Sequence, residues 1–252
     1  MSFRTGKRTE TTFSPPGEGG GLTLVVLAKA PVPGCVKTRL APRFGDVGAA
    51  LLAAAALQDT LDAVAATPAR RRLLALDGDL AASAVRVDVP RGFEVVPQCA
   101  GPHAERIATA LADCDGPALL VGMDTPQLTP ALLQPLDLAA AGPDAWLGRA
   151  EDGGWWALGL RRPQQLARAA LRGVPMSTPG TGAAQAARLR ALGLAVAELP
   201  PLRDVDEPAD AAAVAAQAPG TRFAAVHRSL SATPGPDRRP VWAGGRPARA
   251  GR

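Results

Sequence analysis

The stretch Leu22 to Leu40, LTLVVLAKAPVPGCVKTRL, constrains this chain more than any other. A continuous apolar run from Leu22 to Ala28 reads as a buried strand, and Lys29, two prolines and Gly34 end it abruptly. Lys37, Thr38 and Arg39 follow within a few residues. Pro31 and Pro33 fix the backbone, while Gly34 admits a positive φ or the close approach of a ligand. Three cations crowded into so short a loop repel one another unless an anion relieves them. The choice of cation is informative. Only three of the 28 basic residues are lysines, and Lys29 and Lys37 are two of those three. A compact ammonium suits point contact with phosphate oxygens, so the loop reads as one that grips a phosphate chain.

A net charge of +5 raises the question of nucleic acid, but its distribution argues otherwise. The segments before Gly21 and from Arg228 onward carry +1 and +5, which leaves −1 for the body from Gly21 to His227. Tyrosine is absent and nine aromatics occur in all, too few for a platform on which bases stack. No run of residues has the length and apolarity of a membrane span, and the polar start MSFRTGKRTE lacks the apolar core of a signal peptide, so the expected location is the cytoplasm. Cys35, Cys99 and Cys114 have neither the number of a disulfide framework nor the spacing of a zinc site.

The expected organisation is one domain over residues 21–228 between two disordered ends, 1–20 and 229–252, both poor in residues that could be buried. Within the body, strands are expected at Leu22 to Ala28, Leu73 to Leu76, Glu94 to Val96, Ala118 to Val121, Ala145 to Gly148, Trp155 to Leu160 and Leu194 to Leu199. Helices are expected between them: Val47 to Ala66 capped by Asp46, His103 to Ala112, Pro130 to Ala140 after Thr129, Pro163 to Leu171, Gly182 to Leu192, and an alanine-rich helix after Pro208. Strands alternating with helices imply a three-layer α/β/α domain with a mainly parallel sheet, in which ligands sit beyond the carboxyl ends of the strands.

The groups able to do chemistry fall at such ends. Asp124 follows an apolar strand in GMDTPQLTP, and Asp204 and Asp206 follow another in LRDVDEPAD. Each could be a turn or cap residue, but one carboxylate from each segment, with phosphate oxygens and water, is the usual hard-ligand set for Mg²⁺. Asp152 lies in EDGG, a sequence that a tight hairpin would satisfy, yet Trp155 and Trp156 follow it and the turn could equally present backbone to a substrate. His103 and His227 are lone histidines, and Ser177 in PMSTPGTG either binds a substrate hydroxyl or begins the next helix. The first loop lacks the spacing GxxxxGK[ST], and no GxGxxG follows the first strand, which excludes P-loop and dinucleotide-binding readings.

Taken in order, KAPVPGCVKTRL, QCAG with Glu105-Arg106, GMDTPQLTP, AEDGGWWALGL, PMSTPGTG and LRDVDEPAD resemble an uncharacterised family of bacterial GT-A-fold transferases. That family is similar to 2-phospho-lactate guanylyltransferase and, more distantly, to the molybdenum-cofactor guanylyltransferases, and the resemblance covers Leu22 to Phe223. It implies a nucleotide-diphospho-sugar transferase fold with a mixed sheet, a nucleotide donor, a small-molecule acceptor and Mg²⁺ or Mn²⁺ as cofactor. Carried over motif by motif, Lys29, Pro33, Gly34, Lys37, Thr38, Arg39, Gln98 and Arg106 would bind the nucleotide. Asp124, Asp206 and the rival Asp204 would hold the metal; Asp152, Gly153, Gly154, Trp155 and Ser177 would face the acceptor. Lys37, Asp124 and Asp152 are the candidates for chemistry. The chain departs from the family pattern at Gly101-Pro102-His103-Ala104, where Gly-Asp-Leu-Gly is usual, and at Trp155-Trp156, where paired tyrosines are usual. Both departures bear on the acceptor. Two reactions remain open, nucleotidyl transfer with pyrophosphate release and glycosyl transfer from an NDP-sugar, with a non-catalytic nucleotide-binding module as a third reading.

Overall fold

A computed structural model describes residues 21–134, 136 and 142–232. The expected disordered ends, apart from 229–232, lie outside the described residues, as does most of the second half of the helix expected from Pro130 to Ala140.

Seven strands form one sheet: β1 (Thr23–Lys29), β2 (Arg71–Asp77), β3 (Phe93–Pro97), β4 (Ala118–Gly122), β5 (Ala145–Ala150), β6 (Trp155–Leu160) and β7 (Val196–Leu202). Their order is β3-β2-β1-β4-β6-β5-β7, with β6 antiparallel to both neighbours and every other pairing parallel. The sheet is therefore mixed and mainly parallel, as expected. Its period-two pattern sorts the core into layers. Leu24, Val26, Leu74, Leu76, Leu119 and Val121 point to one face, under α1 (Ala41–Ala65). Val25, Leu27, Leu73, Ala75 and Leu120 point to the other, under α2 (His103–Ala112), α4 (Pro163–Leu171) and α5 (Thr181–Ala191). Central strands that bury both faces read as continuous apolar runs, and β1 and β4 are such runs.

Helix α1 begins earlier than the sequence suggests, at Ala41, and is broken at Gly45 (φ 72°, ψ 166°), so its long run starts close to the expected Val47. It is long and apolar enough to cross a membrane, but that composition is used in the core, where Leu52, Leu57, Leu61 and Val64 are fully buried. A short α3 (Pro130–Leu133) begins after Thr129 as expected. The body closes with two helices rather than one, α6 (Pro208–Gln217) and α7 (Arg222–Ala232). Phe223 of α7 is buried in a third cluster with Leu40, Leu52, Val205 and Val214.

This topology determines where chemistry can occur. The carboxyl ends of the parallel strands share one edge, and because β6 runs the other way, its first residue, Trp155, is on that same edge. The loops after β1, β4, β5 and β7 consequently meet.

Candidate functional site

A cavity of about 820 Å³ opens at this edge. Its wall contains Lys29, Lys37, Thr38 and Arg39 from the loop after β1, Asp124 after β4, Asp152, Gly154 and Trp155 around the β5–β6 turn, Ser177 before α5, and Asp204 and Asp206 after β7. Eleven residues singled out from sequence, contributed by five separate segments, are thus brought to one place.

Backbone hydrogen bonds tie those segments together. The Val205 N–H donates to the Asp124 carbonyl at 2.9 Å, and the Glu151 N–H to the Leu202 carbonyl at 3.0 Å. The Gly153 carbonyl accepts from the Gly182 N–H at 2.8 Å, so the EDGG turn closes the first turn of α5. Both glycines are required there: a Cβ on Gly153 (φ 92°) would overlap the Pro179 carbonyl oxygen, and one on Gly182 would overlap that of Gly154. At the N-terminus of α5 the Thr181 and Gly182 N–H groups are thus spent on protein carbonyls.

Lys37 lies at the centre of the carboxylates. Its Nζ stands 2.9 Å from Asp124 Oδ1 and 2.8 Å from Asp206 Oδ1, with only 11% of its side chain exposed. Arg39, 67% exposed, reaches the other oxygen of Asp206 at 3.2 Å. Burial works against the Lys37 ammonium, but Asp124 and Asp206 outweigh it and hold its pKa above the usual range. Burial likewise opposes the Asp206 carboxylate, and Lys37 and Arg39 outweigh it and hold the pKa low. Lys37 carries a left-handed backbone (φ 47°), and Ser177 (φ 58°) is the other non-glycine residue of that kind among the described residues. Both line this cavity, and such conformations persist where surrounding structure enforces them.

Beside this pair, Asp152, Asp204 and Asp206 bring carboxylate oxygens within 4.8 Å of one another. Asp152 Oδ1 accepts from the Gly154 N–H at 2.7 Å, so the turn role read from sequence is real and coexists with a place in the cluster. Burial first, then Asp152 and Asp206, push Asp204 up to about 6. The N-cap of α6 is Glu207, whose own N–H donates to Asp210 at 2.9 Å, which leaves the Asp206 side chain free for the cavity.

Gln98 and Arg106 do not join this group. Both stand outside the cavity wall. Gln98 Nε2 donates to the carbonyls of Ala28 at 2.8 Å and Ala75 at 2.9 Å, and its oxygen accepts from Arg106, which also pairs with Asp77 at 3.0 Å. These bonds lock the ends of β1 and β2 to the segment after β3. Pro33 and Gly34 shape the turn, Gly34 with the positive φ expected (75°), without lining the cavity. His103, set aside in the sequence as lacking a partner, does line it, and burial, then Arg106, hold its pKa below the usual range. Its position just after β3, at the same sheet edge as the other motifs, was the signal available.

Known proteins match this arrangement at the level of fold. Residues 60–178 match the profile of a family described as an uncharacterized protein conserved in bacteria (DUF2064). None of the curated proteins matches the chain. The structure is similar to one from Desulfovibrio desulfuricans G20 described provisionally as a nucleotide-diphospho-sugar transferase, with 24% identity, a TM-score of 0.72 and coverage of 84% of this chain and 95% of that one. Rv0371c from Mycobacterium tuberculosis H37Rv is 25% identical with a TM-score of 0.50, over 77% of this chain and 97% of that one. A CMP:2-keto-3-deoxy-manno-octonic acid synthetase, solved in complex with CTP, is 14% identical with a TM-score of 0.50, over 79% and 99%. The chain therefore has the fold that its motifs implied, that of the nucleotide-diphospho-sugar transferases.

Proposed function

We propose that the chain is a divalent-metal-dependent transferase that moves a nucleotidyl group from an NTP to a small phosphorylated acceptor and releases pyrophosphate. One observation carries this reading: carboxylates from three separate loops converge beside Lys29, Lys37 and Arg39 in one cavity at the carboxyl edge of the central strands. The donor set suits a hard cation. Its ligands are all carboxylate oxygens, Asp204 is pushed up to about 6 by burial and then by the like charges of Asp152 and Asp206, and an ammonium already bridges Asp124 and Asp206 as a cation would. Asp206, Asp204 and Asp152 or Asp124 would hold Mg²⁺ or Mn²⁺, which when bound would neutralise phosphate charge.

The chain's own residues supply the rest. Lys29, at the end of β1, and the exposed Arg39 face the cavity and would bind the donor's phosphates. An acceptor phosphate is its own nucleophile, so nucleotidyl transfer asks for positioning and charge stabilisation, and no side chain need accept a proton. Glycosyl transfer with inversion would need a base, with Asp152 the candidate. The place of Asp152 in a three-carboxylate cluster, one oxygen already held by the Gly154 N–H, suits a metal ligand better. A soluble donor and acceptor fit a cytoplasmic location.

The test is product analysis. Protein, Mg²⁺ and each NTP are incubated with phosphorylated small molecules and assayed for pyrophosphate, and in parallel with NDP-sugars and assayed for NDP. Pyrophosphate formation that depends on both acceptor and metal supports the reading; release of NDP alone sinks it and favours glycosyl transfer.

A further inference from the structure

Lys37 is placed oddly for a residue whose task is to hold a phosphate. Its ammonium is turned away from solvent and committed to two carboxylates, Asp124 at 2.9 Å and Asp206 at 2.8 Å, from loops after β4 and β7. Those are oxygens that a divalent ion would need. The backbone at Lys37 is left-handed, so the loop holds the side chain in this position at a conformational cost. Lys29, in the same cavity, forms no ion pair among the described residues.

We propose that Lys37 is a resident counter-ion that competes with the divalent metal for Asp124 and Asp206, so that metal binds well only together with a phosphate chain that offers the displaced ammonium a new partner. This rests on the metal-and-nucleotide reading of the site and adds a rule to it: free metal binds weakly, and metal and donor each strengthen the other. The physical reason is charge. A divalent ion entering alone would push a buried ammonium from both partners with no anion to receive it, a state in which a desolvated charge is uncompensated. With a triphosphate present, the lysine exchanges carboxylate for phosphate and so keeps an anionic partner. Coupling of this kind is reciprocal, so the donor must tighten metal by the same factor by which metal tightens the donor.

The experiment uses Mn²⁺, followed by electron paramagnetic resonance, and inorganic tripolyphosphate, which avoids any choice of base. Wild type and Lys37→Met are titrated with Mn²⁺ alone and with Mn²⁺ in the presence of tripolyphosphate. Lys37→Met should bind free Mn²⁺ about tenfold more tightly than wild type, because a like charge has left the site, and its gain from tripolyphosphate should shrink. Unchanged or weaker binding of free Mn²⁺ by a folded Lys37→Met overturns the inference while leaving the metal reading intact. If wild type binds no Mn²⁺ even with tripolyphosphate, both fall.

A second measurement covers a variant that fails to fold. The chain has three lysines, Lys7, Lys29 and Lys37, so ¹⁵N side-chain resonances of wild type are few enough to assign. The Lys37 ammonium should shift on addition of Mg²⁺ with tripolyphosphate and stay in place with Mg²⁺ alone. A resonance unmoved by saturating Mg²⁺ and tripolyphosphate overturns the exchange.

Discussion

The loop after β1 and the segment after β3 look alike in sequence, each a strand end followed by glycine, proline and cationic residues, and both invite a phosphate. The structure separates them. The loop after β1 directs Lys37 and Arg39 at carboxylates that line an open cavity. The segment after β3 spends Gln98 and Arg106 on the carbonyls of Ala28 and Ala75 and on Asp77. Position in the sheet accounts for this. β1 lies between β2 and β4, where the strand order reverses and a crevice opens between diverging loops, whereas β3 is an edge strand whose following segment packs back over its neighbours. A cation's function therefore depends less on its local motif than on whether its strand borders the switch in strand order.

The sharpest way to break this comparison is to remove the paired carboxylate in each region. Asp206→Asn should lower Mn²⁺-dependent binding of tripolyphosphate by about 100-fold, since it removes a proposed ligand and the partner of both Lys37 and Arg39. Asp77→Asn, which weakens the pair with Arg106, should leave that binding within about threefold. Calorimetric titration of both variants decides the matter, and equal losses would mean that the two regions act as one site.

The next contrast exchanges stability for binding. Gln98→Ala strips the donor from two main-chain carbonyls and should cost about 2 kcal/mol in denaturant unfolding, with tripolyphosphate affinity retained. Lys29→Ala should do the reverse, changing stability by less than about 0.5 kcal/mol while weakening tripolyphosphate about tenfold. A stable Gln98→Ala that no longer binds would place Gln98 in the nucleotide site.

How much of each region was legible follows from what sequence encodes locally. Pro163 at the first turn of α4 and the apolar run of β6 placed those elements at the bounds observed, Pro163–Leu171 and Trp155–Leu160. The residue types around Lys37 and Asp124 indicated anion and cation chemistry, and both line the cavity. No local pattern shows that Lys37 meets a carboxylate 169 positions away, or that Arg106 meets Asp77 rather than a phosphate. Nor could strand periodicity reveal that β7 pairs parallel with β5, with Ala150 in register with Leu202, the step that brings Asp152 to Asp204 and Asp206. The second terminal helix was missed because α7 has one strongly buried large side chain, Phe223, and an otherwise mixed pattern.

A smaller effect sharpens the electrostatic side of the contrast. The folded pKa of Asp204, about 6, lies above its ordinary value of 3.8, so the folded state binds the proton more tightly than the unfolded one. Stability from this group is present at low pH and is lost as pH rises from about 4 through about 6, by roughly 1 kcal/mol after allowance for solvent screening. Asp206, whose pKa is lowered, acts with the opposite sign and only below about pH 4. Melting temperatures of wild type minus those of Asp204→Asn across pH 4 to 7 isolate the term. Saturating Mg²⁺ with tripolyphosphate should flatten the difference, because a bound cation lowers the carboxyl pKa. A slope that persists in Mg²⁺ with tripolyphosphate would place the metal away from Asp204.

A comparably small change in stability is expected from Asp152→Asn, which tests whether one carboxylate can serve both the turn and the site. Asparagine can accept from the Gly154 N–H through its own Oδ1 as Asp152 does, so the turn and its contact with α5 should persist and stability should change by less than about 0.5 kcal/mol. The charge is nevertheless gone. Asp152 is, after burial, the largest cause of the raised Asp204 pKa, so the pH window of the difference made by Asp204→Asn should move downward when it is measured in the Asp152→Asn background. Free Mn²⁺ should bind a few-fold more weakly, and the variant should keep its overall fold by circular dichroism. A clear loss of stability with Mn²⁺ binding unaltered would return Asp152 to the purely structural role that its glycine-rich turn first suggested, and would leave Asp204 and Asp206, with Asp124, as the carboxylates that remain for the metal.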